Sequence, residues 1–122
     1  MHKVAIMQPT YLPWIGYFSL IKNVDTFVFL DSVQFTRRSW QQRNQIKTIT
    51  GSKWLTVPIF SKGKRQQLIK DTIINDESNF CKEHIKTIKF NYCKANYFES
   101  ESKGLFNILR SHPNYIADLN IQ

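Results

Sequence analysis

Hydrophobic positions form short uninterrupted runs near the N-terminus and helically spaced sets toward the C-terminus. Residues 3–7 are a short apolar run that stops before Pro9, and residues 26–30 are a second run, rich in β-branched and aromatic side chains. Between these runs, the apolar residues of 14–23 follow helical spacing. The pattern predicts a strand, a loop, a helix and a second strand, with both strands buried.

A β-α-β unit of this kind favours a parallel strand pair with a right-handed crossover. Ligands of open parallel sheets bind outside the carboxyl ends of the strands, which here are Gln8 and Asp31. The loop 8–13, stiffened by two prolines, and the segment 32–44 both leave this edge. The sequence therefore predicts a cleft there, lined by amides, aromatic rings and arginines.

The middle of the chain carries the signals of a β-hairpin. Residues 45–49 and 53–57 flank the Thr-Gly-Ser sequence at 50–52, which is typical of a compact turn. The polar, basic residues 61–67 predict a mobile loop, and residues 72–75 predict another short strand.

The last third predicts helices. Ser78 is expected to cap a helix over 79–92, and apolar spacing indicates a second helix over 99–111. Pro113 suits the first turn of a third helix, which would reach Gln122 with apolar side chains still uncovered. We therefore expect the chain to be a fragment or a truncated member of a longer family.

Together these elements predict an α/β fold. It would have a Rossmann-like β-α-β start and a β-hairpin, followed by a helical segment. The cleft would lie in an α/β segment at 1–75, with the helical segment at 76–122. A length of 122 residues allows one domain overall.

Charge is spread unevenly along the chain. The formal net charge is +8, yet no acid occurs between Asp31 and Asp71. Such a single-sign stretch attracts anions, which points to phosphate-bearing partners such as a nucleotide-sugar or nucleic acid. A solvated basic face without a ligand is the alternative. The nine basic residues of this acid-free window are Arg37, Arg38, Arg43, Lys47, Lys53, Lys62, Lys64, Arg65 and Lys70.

Several common kinds of site are absent from the sequence. It has no Ser-His-Asp order, Walker loop or dinucleotide glycine fingerprint. Cys81 and Cys93 lack zinc or redox spacing, so buried free thiols and no metal site are expected. The histidines His2, His84 and His112 lie outside the predicted cleft.

The N-terminal apolar run is too short for a signal peptide, and no run of about 18 apolar residues occurs, which predicts a cytoplasmic protein.

Candidate site residues gather between Gln8 and Lys47. Asp31 could orient a ligand or act as a base, or it could only form an ion pair with Arg37 or Arg38. The guanidinium group of arginine binds phosphate in a bidentate manner, and side-chain amides suit the polar edges of a sugar or base. Aromatic rings can stack on a sugar ring or a base. The predicted substrate-binding residues are Gln8, Tyr11, Trp14, Tyr17, Gln34, Arg38, Trp40, Arg43, Asn44 and Lys47.

In order and spacing, these residues resemble the hallmark of the WbqC-like family. The resemblance extends more weakly through His84, Tyr92 and Tyr97-Phe98, with Phe80 where the family is expected to have Trp. It is carried by Gln8-Pro9-Thr10-Tyr11-Leu12-Pro13-Trp14-Ile15-Gly16-Tyr17-Phe18, by Asp25 and Phe27, by Leu30-Asp31-Ser32-Val33-Gln34-Phe35, by Arg38-Ser39-Trp40, by Arg43-Asn44-Gln45-Ile46-Lys47 and by Trp54-Leu55-Thr56-Val57-Pro58.

The resemblance implies a role in O-antigen, capsule or other bacterial surface-polysaccharide biosynthesis. It also implies an enzyme that transfers a glycyl, other aminoacyl or acyl group to an amino sugar of a nucleotide-sugar. The matching polar positions are Gln8, Tyr11, Asp31, Gln34, Arg38, Arg43, Asn44 and Lys47.

The chain is also similar in layout to nucleotidyltransferases and pantothenate-synthetase-type ligases, whose loop carries His-x-Gly-His. In this sequence Trp14 and Tyr17 replace both histidines. The likeness implies a nucleotidyltransferase-like β-α-β start. Because those histidines help to stabilise phosphates during adenylyl transfer, their replacement argues against ATP activation, and ATP stays open as a cofactor.

Two other functions stay open at this point. The basic window, with Trp40 and Trp54 as stacking platforms, is also typical of a nucleic-acid-binding module. An inactive, unstable remnant is the third alternative, because a partial fold exposes apolar surface.

Overall fold

The computed structural model describes residues 1–122, and it begins with a β-α-β unit. Strand β1 is Val4–Met7, helix α1 is Ile15–Lys22 and strand β2 is Thr26–Phe29. The strands pair in parallel, with Val4 opposite Thr26 and Met7 opposite Phe29. The predicted order of these elements and their parallel pairing are confirmed.

The prediction that both strands are buried is wrong for one face of this sheet. On one side Phe27 packs against Tyr17 of α1, with ring centroids 5.5 Å apart. On the other side Val4, Ile6 and Val28 are 55%, 58% and 39% exposed. The sheet has two strands, and α1 can cover only one of its faces.

A β-hairpin follows, as predicted. Its strands are β3, Arg43–Thr48, and β4, Gly51–Thr56, and they pair antiparallel from Arg43 opposite Thr56 to Thr48 opposite Gly51. The tight turn places Gly51 at a φ of 131°, which glycine adopts without strain.

The hairpin is a sheet of its own and does not extend the β1–β2 pair. The chain is therefore a mixed α/β structure with two small sheets and four helices. The predicted Rossmann-like, nucleotidyltransferase-like sheet is not confirmed, because no third strand joins the parallel pair.

The remaining helices are α2, Phe80–Tyr92, α3, Phe98–Arg110, and α4, Ile116–Ile121. Residue Asn79, and not Ser78, precedes α2, and it makes no side-chain cap. None of the helices is long and apolar enough to cross a membrane.

The third predicted helix starts later than Pro113. Residues 114–116 instead run beside residues 72–74, where Ile74 N donates to Asn114 O and Ile116 N donates to Thr72 O. These bonds hold the chain extended until α4 begins. The predicted strand at 72–75 is therefore reduced to isolated bridges with Tyr115 and Ile59.

The hydrophobic core lies among the hairpin, the 3₁₀ turn Ile69–Asp71 and helices α2 to α4. Its fifteen buried side chains include none from β1, α1 or β2, so the β-α-β unit lies outside it. Tyr11, in the loop after β1, is the one residue before Phe35 that belongs to the core. This loop therefore anchors the β-α-β unit to the rest of the fold.

Candidate ligand-binding site

The loop after β1 is anchored by a buried chain of hydrogen bonds. The Tyr11 hydroxyl lies 2.7 Å from His84 Nδ1, and His84 Nε2 lies 3.1 Å from the carbonyl oxygen of Thr56. Because a carbonyl can only accept, Nε2 carries the proton, and Nδ1 accepts from the Tyr11 hydroxyl. Burial lowers the pKa of His84 to about 4, so this arrangement holds at neutral pH.

This geometry changes the roles expected of two residues. Tyr11 is 2% exposed, so the prediction that it contacts a ligand conflicts with its burial. Burial also raises its pKa. Sequence reasoning missed His84 because it treated the residue as an ordinary helix position outside the cleft. The available signal was its place on the apolar face of α2, beside Cys81, Ile85 and Ile88.

Amides and a second tyrosine fix the same loop from other sides. Asn44 Nδ2 donates to the carbonyl oxygens of Tyr11 and Leu12, at 3.2 and 2.7 Å. The Tyr17 hydroxyl donates to Gln8 O at 2.9 Å, and burial raises the Tyr17 pKa. The Asn44 amide group is therefore used to shape the site, which leaves it less able to recognise a ligand than predicted.

A cavity of about 390 Å³ lies at the carboxyl end of β1. It brings together four of the predicted binding residues, which come from the loop, from helix α1, from the segment before β3 and from β3 itself. Its full lining is Met7, Thr10, Pro13, Trp14, Tyr17, Trp40 and Asn44.

Two features of this cavity suit a ring-bearing ligand. Trp14 and Trp40 are 68% and 55% exposed, so both leave ring surface available for stacking. Thr10 Oγ1 is buried and has no hydrogen-bond partner. Buried polar atoms are rarely left unpaired, so a ligand group is a reasonable partner for this hydroxyl. Sequence reasoning did not select Thr10, because an isolated threonine in a loop carries no distinctive pattern.

An aromatic and cationic cluster adjoins the cavity. Trp40 packs against Trp54 with ring centroids 5.7 Å apart, and the Arg43 guanidinium carbon lies 4.0 Å from the Trp54 centroid. Arg43 Nε is buried without a partner. Trp40 thus connects the cavity to a stacked arginine, as expected for a site that also meets an anion.

The other predicted residues do not line this cavity. The Asp31 carbonyl accepts from Lys70 N, and Gln34 Nε2 donates to Arg65 O at 2.7 Å. Arg38 and Lys47 are exposed. The interpretation of Asp31 as an ion-pair partner of Arg37 or Arg38 is wrong, because the single ion pair of the chain joins His112 to Asp76. All nine cations of the basic window are therefore without a carboxylate partner.

Residues 8–122 match the WbqC-like protein family. The chain belongs to this family. The match begins at Gln8, the first residue of the loop after β1, and it extends through α4. The predicted family resemblance is confirmed.

One relative of this WbqC-like chain is the uncharacterized protein Rv1507c of Mycobacterium tuberculosis, with 47% identity over 98 residues. The aligned region covers 80% of this chain and 42% of Rv1507c, so the chain spans about two fifths of that relative. No solved structure matches the chain.

The chemistry of the cavity in this WbqC-like chain favours binding over acid–base catalysis. Its lining includes no histidine and no carboxylate, and Tyr17 is its one titratable group. The Tyr17 hydroxyl donates a hydrogen bond to Gln8 O, and its pKa is raised. It therefore stays protonated and is poorly suited to act as a base. A reaction here would need a base from outside the cavity lining.

Proposed function

We propose that this chain forms the nucleotide-sugar site of a WbqC-like protein of bacterial surface-polysaccharide biosynthesis. In this proposal an acyl or aminoacyl group is transferred to the amine of a nucleotide-linked amino sugar. The observation that carries the proposal is the cavity at the end of β1, with its two stacking tryptophans and its unpaired Thr10 hydroxyl.

The surrounding charge supports a phosphate-bearing ligand. A base or sugar ring can stack in the cavity, and the diphosphate then needs cations close by. Arg43 lies beside the cavity across the Trp40–Trp54 pair, and none of the basic residues between Asp31 and Asp71 is neutralised by an acid.

Asp31 is the proposed base for the amine. Leu30 N donates to Met7 O, and Met7 lines the cavity. Asp31, the next residue after Leu30, therefore follows β2 at the same edge of the sheet as the cavity. The amine nitrogen would form the new C–N bond to the acyl carbon, and the leaving group of the activated donor would depart with its electron pair. Asp31 would accept the proton that the amine loses.

Calorimetry with UDP-glucosamine tests the proposal. We expect saturable binding, and we expect Trp14→Ala to weaken it about tenfold, because ring stacking contributes about 1–3 kcal/mol. Phe90→Ala removes a similarly exposed aromatic residue, 73% exposed on α2, and should leave binding unchanged. ATP is titrated in a separate experiment, because the sequence leaves it open as a cofactor. If neither UDP-glucosamine nor a panel of other nucleotide-linked amino sugars bound, the proposal would fail.

A nucleic-acid-binding module is the second candidate, favoured by the exposed Trp40–Trp54 pair and the unpaired cations. It requires free ring faces, but Trp54 already packs against Trp40 and carries Arg43 over its ring. The two candidates differ in salt dependence. Affinity for a single-stranded oligonucleotide that falls steeply with salt, together with no affinity for UDP-glucosamine, would favour this alternative.

A further inference from the structure

A second group of chemically reactive side chains lies away from the cavity, where α2 begins and α3 ends. His112 Nδ1 is 2.9 Å from Asp76 Oδ2 and 3.9 Å from Cys81 Sγ. One ligand atom from each of the three residues lies within 4.8 Å of the others. The group thus combines a carboxylate, an imidazole and a thiol.

These separations are close to those of a zinc site. Around a tetrahedral Zn²⁺, with bonds of about 2.0 Å to nitrogen and oxygen and about 2.3 Å to sulfur, the ligand atoms lie about 3.3–3.6 Å apart. The pair of 2.9 Å and the pair of 3.9 Å each differ from this by less than an ångström. A side-chain rotation of this size is small for Asp76 and His112, which are both exposed.

The backbone holds the three residues together at some conformational cost. His112 is the second residue after α3 and has a φ of 49°, a position where helices usually place glycine. Asn79, two residues before Cys81, also has a positive φ of 52°, and its Oδ1 accepts from the Cys81 thiol at 3.1 Å. A histidine kept where glycine would relax the backbone points to a use for its imidazole.

We propose that Asp76, Cys81 and His112 bind a Zn²⁺-type cation, with the fourth coordination position open to the adjacent cavity. The soft and borderline donors of this set match zinc better than they match magnesium or calcium, which prefer oxygen. Two anionic ligands balance the charge of the ion. Three protein ligands and one open position are typical of zinc sites that bind an exchangeable ligand.

The cavity beside the group indicates what that exchangeable ligand would be. It measures about 510 Å³, and both Cys81 and His112 contribute to its wall. Four basic residues also line it: Lys82, Lys86, Lys89 and Arg110. These cations disfavour a bare metal ion but favour an anion on the metal, so the fourth ligand is an anion such as hydroxide or phosphate.

Cobalt substitution tests the site directly on the 122-residue chain. Adding Co²⁺ should produce the thiolate-to-cobalt charge-transfer band at a ratio of one ion per chain. Cys81→Ala should abolish the band, whereas Cys93→Ala, which removes the chain's other and exposed thiol, should retain it. Absence of the band, or a band that follows Cys93, would overturn the proposal.

Because Cys81 is buried, its variant could fail to fold, so the two exposed ligands give a second test. Asp76→Asn and His112→Gln should each weaken Zn²⁺ binding at least about tenfold in calorimetry. Glu77→Gln and His2→Gln are the matched controls. Zn²⁺ should also raise the melting temperature of the unmodified chain and of the controls, because it binds the folded state. Equal Zn²⁺ affinity in all four variants would contradict the site.

Discussion

Replacing Gly16 by alanine is expected to weaken UDP-glucosamine binding about tenfold without loss of stability. A Cβ at this position would lie 1.7 to 2.4 Å from three ring atoms of Trp14, so the ring must rotate away. The Trp14 side chain is 68% exposed and can move at low cost. The added methyl group also favours helix α1 by up to about 1 kcal/mol. The substitution should therefore weaken UDP-glucosamine binding while the stability of the fold is kept or increased.

Gly104→Ala is the matched control for this substitution. Gly104 lies inside helix α3, and its Cβ would meet nothing within 4 Å. This variant should also gain helix stability, but it should bind UDP-glucosamine as the unmodified chain does. Calorimetry and thermal melts of both variants make the comparison. Unchanged affinity in Gly16→Ala would mean that the position of the Trp14 ring does not matter to binding.

Lowering the pH from 6.5 to 4 is expected to reduce the free energy of unfolding by about 3 kcal/mol through His84 alone. Its pKa falls from an ordinary 6.5 to about 4 in the folded chain, because burial disfavours the imidazolium. Between these two values the unfolded chain binds the proton and the folded chain does not. Stability is therefore highest above pH 6.5, falls as the pH drops to 4, and loses nothing further from this residue below 4.

Urea unfolding at a series of pH values measures this effect. His84→Gln keeps one donor and one acceptor but cannot titrate, so its stability should lose the His84 part of the slope. His2→Gln replaces an exposed histidine and should keep the full slope. Parallel slopes in all three proteins would contradict the assigned role of His84. A non-cooperative transition would instead support the unstable-remnant interpretation.

The periodic parts of the fold were predictable from sequence. The β-α-β order, the hairpin, and helices α2 and α3 follow local alternation and helical spacing, and they appear within a few residues of their predicted bounds. The extent of the sheet was not predictable in this way. Whether Val4 and Ile6 are covered depends on how many strands and helices pack on β1, which local pattern does not encode.

The candidate site was predictable as a region more than as a list of roles. Trp14, Tyr17, Trp40 and Asn44 do meet in one cavity, because strand ends and their loops share an edge. The partners of individual polar groups depend on long-range contacts, such as that between Tyr11 and His84, 73 residues apart. The Asp76, Cys81 and His112 group likewise joins distant positions with no standard spacing.

The cavity at the end of β1 is proposed to hold the ring of a nucleotide-linked amino sugar. The chain has three tryptophans, so its indole N–H signals can be assigned one by one in a ¹⁵N NMR spectrum. Titration with UDP-glucosamine should shift the Trp14 and Trp40 signals saturably, with a single dissociation constant. If both signals stayed in place while the protein bound the ligand, binding would occur elsewhere and this cavity would not be the ligand site.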